Sequence, residues 1–175
     1  ATENNLVITN VPSYSPESIA EYTVLTGLNL VRNNNTIIAN VAKNDFRWQP
    51  SICGRVMGDM KVAIIGTGRI GQITAKLFHG FGCELVGFDL YQNEGIKSIL
   101  TYKDSIEEAV KDADIVSIHM PATAENRHCF NYEMFQKFKP GAILLNMARG
   151  SIVDTEGLLK ALDEGILSGA GIDTY

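Results

Sequence analysis

At 175 residues, 45% of them hydrophobic and 16 of them glycine, the chain is long enough for one globular α/β-like domain and too short for two ordinary ones. A net charge of −5 with no Lys/Arg block excludes a general nucleic-acid or anionic-membrane binder. Three irregularly spaced cysteines, Cys53, Cys83 and Cys129, argue against a disulfide framework and suit a reducing, cytoplasmic setting. No run approaches the roughly 18 apolar residues of a membrane span, and no signal peptide is visible.

In chain order, residues 6–9 are a short apolar run that Asn10-Val11-Pro12 turns. Ser15-Pro16-Glu17 starts a helix: Ser15 caps, Pro16 suits the first helical position, and Glu17 favours the positive end. That helix runs from Pro16 to about Arg32, and its apolar residues go most of the way round, which implies burial on more than one side. A second helix is expected over 37–43, then a connecting loop over 44–58. From there strands alternate with helices: strands at 62–65, 85–88, 99–102, 115–119, 142–145 and 169–173, with helices between. Residue 105 opens a capping box with Glu108, Asn131 caps a short helix, and Thr155 caps the helix that Gly165 ends. Alternation of this kind predicts a Rossmann-type doubly wound parallel sheet with helices on both faces. Ligands bind such sheets outside the carboxyl ends of the strands, so the residues just after each strand are the ones to inspect.

Gly66-Thr67-Gly68-Arg69-Ile70-Gly71 follows the strand 62–65 directly and opens the helix 70–81, the context a dinucleotide loop requires. Gly66 permits the tight turn, Gly68 admits a pyrophosphate to the backbone, and Gly71 lets helix and strand pack closely. The helix N-terminus adds amide donors, and Arg69 adds charge. Asp89 ends the next strand, 18 positions after Gly71. A carboxylate there accepts from the ribose hydroxyls and repels a 2′-phosphate, and no basic residue follows at 90–93, so NAD is expected over NADP. His119-Met120-Pro121 lines the crevice, with His119 read as structural rather than acid–base, and Asn126 is a polar candidate on the nicotinamide side. Asn146-Met147-Ala148-Arg149-Gly150 places Arg149 where a guanidinium can hold a 2-oxo acid's carboxylate and polarise its carbonyl. Asp173 ends the last strand on the same side. No metal site is expected.

Together these pieces resemble the D-2-hydroxyacid dehydrogenases over essentially the whole chain: residues 10–21, the glycine loop, His119-Met120-Pro121, Met147-Ala148-Arg149-Gly150 and Gly171-Ile172-Asp173-Thr174-Tyr175. Residues 101–105, 45–48 and the closing Asp173-Thr174-Tyr175 look most like the D-lactate dehydrogenase branch, with the related 2-hydroxyisocaproate and vancomycin-resistance dehydrogenases close behind. The resemblance implies that Arg149 binds the substrate carboxylate and carbonyl and that Asp173 contacts the nicotinamide. It also implies cofactor contacts at Arg69, Ile70, Asp89, Met120, Pro121, Asn126 and from Met147 through Ala148 to Arg149. It implies a homodimer through the cofactor domain, with the helix from Pro16 to Arg32 at the interface. The family's acid–base His and its Glu partner fall beyond the closing Asp, and its substrate domain comes from flanking sequence. Ala1 and Tyr175 read as cuts, so residues 1–175 are expected to be the NAD-binding domain, binding NAD without turnover. The intact enzyme would reduce a 2-oxo acid, pyruvate to D-lactate. Two other readings stand beside this one: a non-catalytic NAD-sensing module of the same fold, which a basic or docking surface would favour, and a site for another nucleotide such as S-adenosylmethionine.

Overall fold

A computed structural model describes Thr9, Val11 and residues 14–175. The expected run at 6–9 and turn at 10–12 fall, but for Thr9 and Val11, outside the described residues. Two helices come first, α1 (Pro16–Val31) and α2 (Asn34–Ala42). Then come β1 (Lys61–Ile65), α3 (Arg69–Gly80), β2 (Glu84–Phe88), β3 (Thr101–Tyr102), α4 (Ile106–Val110) and β4 (Ile115–Ile118). The chain closes with α5 (Tyr132–Phe135), β5 (Ala142–Asn146), α6 (Thr155–Asp163) and β6 (Leu167–Ile172). The stretch between α2 and β1 is a loop with two 3-10 turns, Pro50–Ile52 and Met57–Asp59.

The six strands form one parallel sheet in the order β3-β2-β1-β4-β5-β6. Both faces are covered, and the strands read as apolar runs for that reason. Side-chain alternation divides them: Val62, Ile64, Ile143 and Leu145 join the core under α1 and α3. Ala63, Ile65, Ala142 and Leu144 join the opposite core, around Phe130, Phe135 and Phe138. The three phenylalanines meet edge to face.

Ser105, Asn131 and Asp154 cap as their residue types demand, while the Glu108 half of the capping box, the place of Thr155 and the role of Ser15 differ from expectation. Ser105 Oγ accepts from the Glu108 N–H at 3.2 Å, while Glu108 reaches back to the Asp104 N–H rather than to the cap's own. Asn131 Oδ1 accepts from the Met134 N–H. The cap of α6 is Asp154, whose Oδ2 accepts from the Gly157 N–H at 3.0 Å; Thr155 is the first helical residue. Ser15 does not cap α1. It sits at φ 39°, in the left-handed region, whereas a capping side chain needs extended backbone to reach the first turn. Its carbonyl accepts from Ser18 Oγ instead.

α1 lies against α3 and over β5 and β6. Ala20, Thr23, Val24, Gly27 and Val31 are buried there, and a Cβ on Gly27 would stand 3.3 Å from Leu145. The outer side of α1 is apolar too: Tyr22 and Leu25 are about half exposed.

Candidate functional site

The strand order reverses between β1 and β4, and a crevice opens over the carboxyl ends of those neighbours. Gly66 leaves β1 at φ +93°, and a Cβ there would lie 2.6 Å from the Met120 backbone nitrogen. Only a glycine lets the loops after β1 and β4 touch. A Cβ on Gly71 would sit 2.0 Å from the Gly66 carbonyl oxygen, so its absence brings the start of α3 against the turn. Nothing lies within 4 Å of a Cβ built on Gly68, the residue that caps α3. The three glycines thus stand as the motif requires, with open space where a diphosphate would approach a helix N-terminus. Arg69 and Ile70 are the first residues of α3.

Asp89 follows β2 and turns toward this loop. Its Oδ2 accepts from the Thr67 N–H at 2.6 Å and from Thr67 Oγ1 at 3.1 Å, while Oδ1 accepts from the Tyr91 N–H at 3.1 Å. Across the switch point, the His119 N–H donates to the Ile65 carbonyl at 2.7 Å and extends the β1–β4 pairing into the crevice. His119 is partly exposed as a residue, but its ring turns inward: Nε2 shares a hydrogen bond with Ser117 Oγ at 2.8 Å, and Nδ1 is enclosed without a partner among the described residues. Burial pushes its imidazole down from 6.5 to about 4. It is therefore neutral near pH 7, as a structural histidine should be.

Asn146, fully buried at the end of β5, shapes the next turn. Its Oδ1 accepts from the Ala148 N–H at 3.1 Å and its Nδ2 donates to the Arg149 carbonyl at 2.9 Å. Met147 and Ala148 are held inward and Arg149 outward. The exposed Arg149 guanidinium spends one N–H on the Ala148 carbonyl at 2.7 Å. Ile70, His119, Met120, Pro121, Met147, Ala148 and Arg149 line one cleft of about 470 Å³, together with Ile19 from α1.

Of the residues expected on the nicotinamide side, Asn126 and Asp173 stand outside that lining. Asn126 turns on its own loop: Nδ2 donates to the Pro121 carbonyl at 2.8 Å and Oδ1 accepts from the Thr123 N–H at 2.8 Å, which fixes the course of the segment after Pro121. Asp173 follows β6 with an exposed side chain, its N–H donating to the Asn146 carbonyl at 3.1 Å. Sequence reading did not single out Thr67, Ser117, Asn146 or Ile19. Thr67 and Asn146 fall inside recognised motifs without a role of their own; the partners of Thr67 are distant in sequence, while Asn146 and Ser117 bond two or three residues along the chain, where the residue type alone does not reveal the bond.

A second hollow, of about 410 Å³, lies at the opposite edge, at the amino ends of the strands, between residues 58–61 and Lys139. Its buried carboxylate is spent on neighbours. Asp114 accepts from Lys139 Nζ at 2.8 Å, Arg55 at 3.1 Å and the Lys61 N–H at 3.1 Å. Burial pushes the Asp114 carboxyl up, but these bonds and charges outweigh it and hold the group below its ordinary range. That hollow is a structural ion-pair cluster, and the candidate site is the crevice above β1 and β4.

Comparison with known proteins gives the crevice its family. A family model described as D-isomer specific 2-hydroxyacid dehydrogenase, NAD binding domain, matches residues 24–175. The D-lactate dehydrogenase of Streptococcus pyogenes serotype M1 is 64% identical over 175 residues, all of this chain and 53% of that relative. Among solved structures, a D-lactate dehydrogenase from Treponema pallidum superposes with a TM-score of 0.93 at 43% identity, over 99% of this chain and 52% of that one. The Aquifex aeolicus D-lactate dehydrogenase complexed with NAD and lactic acid superposes with a TM-score of 0.92 at 35% identity, over 99% and 52%. The chain spans about half the length of the curated relatives it matches. With its parallel sheet, its glycine loop at the strand-order reversal and this match over residues 24–175, the chain belongs to the NAD-binding domains of the D-isomer-specific 2-hydroxyacid dehydrogenases.

Proposed function

We propose that NAD lies across the β1–β4 switch point, with its adenosine ribose on Asp89, its diphosphate over Gly68 and its nicotinamide in the cleft below Arg149. The observation that carries this is the open space at Gly68, set at a helix N-terminus between the Asp89 carboxylate and the Arg149 cleft. Gly66 and Gly71 hold that geometry, while Arg69 and Ile70 begin the helix that faces the diphosphate. Met120, Pro121, Met147 and Ala148 form the apolar wall for the nicotinamide, Asn126 fixes the loop beyond it, and Asp173 accepts from the carboxamide.

In the full-length protein we read the reaction as reduction of a small 2-oxo acid, pyruvate to D-lactate, as the names of the relatives suggest. Bound NADH supplies the hydride. Arg149 has five N–H donors and uses one on Ala148, so two parallel N–H groups remain for the substrate carboxylate. Its charge also stabilises the oxygen that gains electron density as the hydride arrives. We do not assign the proton to His119, whose Nε2 is taken by Ser117 Oγ and whose Nδ1 is enclosed, with burial lowering the imidazole to about 4. We assign that proton to a group outside this crevice, and residues 1–175 to a cofactor domain that binds NADH without turnover by itself.

Two coarser features complete the reading. Tyr22, Leu25, Ile38 and Val41 expose apolar surface on α1 and α2, and we place the contact between two copies there. No helix of the described residues is long and apolar enough to cross a membrane. Cys53, Cys83 and Cys129 are all unpaired, which supports a reducing, cytoplasmic setting. The deciding experiment is Asp89→Ala in the full-length protein, with NADH and NADPH binding followed by nucleotide fluorescence. NADH affinity should fall and its advantage over NADPH should narrow; an unchanged NADH affinity would remove Asp89, and with it this placement of the cofactor.

A further inference from the structure

Asp89 is the end of a hydrogen-bonded chain that reaches back to β3. Thr67 Oγ1 donates to Asp89 Oδ2 at 3.1 Å and accepts from the Tyr102 hydroxyl at 2.8 Å. The Tyr102 hydroxyl in turn accepts from the Asn93 N–H at 2.8 Å. Each hydroxyl donates once and accepts once, so the polarity runs in one direction, from the Asn93 N–H to the carboxylate, and each bond polarises the next. Thr67 is 2% exposed and has no room to abandon its role for water.

The fold explains why Tyr102 is in reach. β3 is only two residues long, and its pairing sets Tyr102 beside Gly87, two residues before Asp89. The tyrosine also ties down the exposed segment after Asp89, where Leu90 and Tyr91 are more than four-fifths exposed. Asn93 holds that segment from within, its Oδ1 accepting from the Gly95 N–H at 2.8 Å.

We propose that Tyr102, acting through Thr67, is a positioning residue that fixes the Asp89 carboxylate for a ribose diol and so sets the preference for NADH over NADPH. This rests on the placement of the adenosine ribose at Asp89. A carboxylate held on both oxygens cannot rotate aside to admit a 2′-phosphate, and like charges at contact distance repel strongly. With the hydroxyl chain broken, the carboxylate is left to the backbone N–H groups of Thr67 and Tyr91, is less sharply oriented and binds the diol less well.

The test measures NADH and NADPH dissociation constants on the full-length protein for wild type, Tyr102→Phe, Asp89→Ala and the double variant. Phenylalanine keeps the ring packing and deletes only the hydroxyl. Tyr102→Phe should raise the Kd for NADH about fivefold, the loss expected for one hydrogen bond, and leave the Kd for NADPH nearly unchanged. In the Asp89→Ala background it should add nothing, because Tyr102 acts only through that carboxylate. Thr67→Val should reproduce the effect and Thr67→Ser should not, which keeps the test decisive if Tyr102→Phe melts early. An unchanged NADH affinity in Tyr102→Phe, or an equal loss for both nucleotides with and without Asp89, overturns the proposal. A wild type that prefers neither nucleotide, or an Asp89→Ala variant that binds NADH normally, instead refutes the underlying ribose placement.

Discussion

Replacing His119 by Gln should abolish a loss of stability that the wild type shows on mild acidification. In the fold, Nε2 shares its hydrogen bond with Ser117 Oγ and Nδ1 is enclosed, so protonation would place a charge in the cleft wall without compensation. Burial lowers the imidazole from 6.5 to about 4. The unfolded chain takes up a proton near 6.5 and the folded chain only near 4, so stability is fully present above 6.5 and is lost as pH falls toward 4. The gap corresponds to about 3 kcal/mol by pH 4. Asp114 and Glu107 are held below their ordinary carboxylate range, so their contributions fade at lower pH and appear equally in wild type and variant. Urea unfolding of both proteins at several pH values between about 7 and 4 gives the difference directly. Gln can keep the hydrogen bond to Ser117 and carries no titratable proton. A wild-type minus variant difference that stays flat across this window would refute the assignment of His119 as a buried neutral ring.

Arg149→Lys in the full-length protein should cut pyruvate turnover about a hundredfold, because a point charge replaces a two-pronged donor, while NADH affinity barely moves; steady-state kinetics beside a nucleotide titration checks both. Gly71→Ala should lower stability by about 1–3 kcal/mol and weaken NADH binding, since its Cβ would meet the Gly66 carbonyl oxygen at 2.0 Å and force α3 away from the loop. Asp154→Ala should cost about 1 kcal/mol in urea unfolding through the lost cap on α6 and leave NADH affinity unchanged.

Local signals placed most of the fold. β1 and β5 announce themselves as apolar runs because both their faces are buried, and the glycine loop is recognisable because three backbone constraints fall at fixed offsets. The misreadings have local causes. Asp154 and Thr155 are both good caps side by side, and only the backbone angles decide which one stands outside the helix. Ser15 has the right chemistry in the wrong conformation. What remained hidden is partly tertiary, since Tyr102 meets Thr67 across 35 positions, and partly a local turn, since Asn146 is spent on shaping the Arg149 turn three residues on. Asn126 was legible as a polar residue beyond Pro121, but not the two hydrogen bonds by which its side chain holds its own loop.

The most direct test of the account is a titration of the protein with NADH and, in parallel, NADPH, followed by nucleotide fluorescence. The account predicts saturable binding of NADH with a clear preference over NADPH, because a fixed Asp89 carboxylate meets the ribose diol in one and a phosphate in the other. Equal affinity for the two nucleotides, or no binding of either, would contradict it.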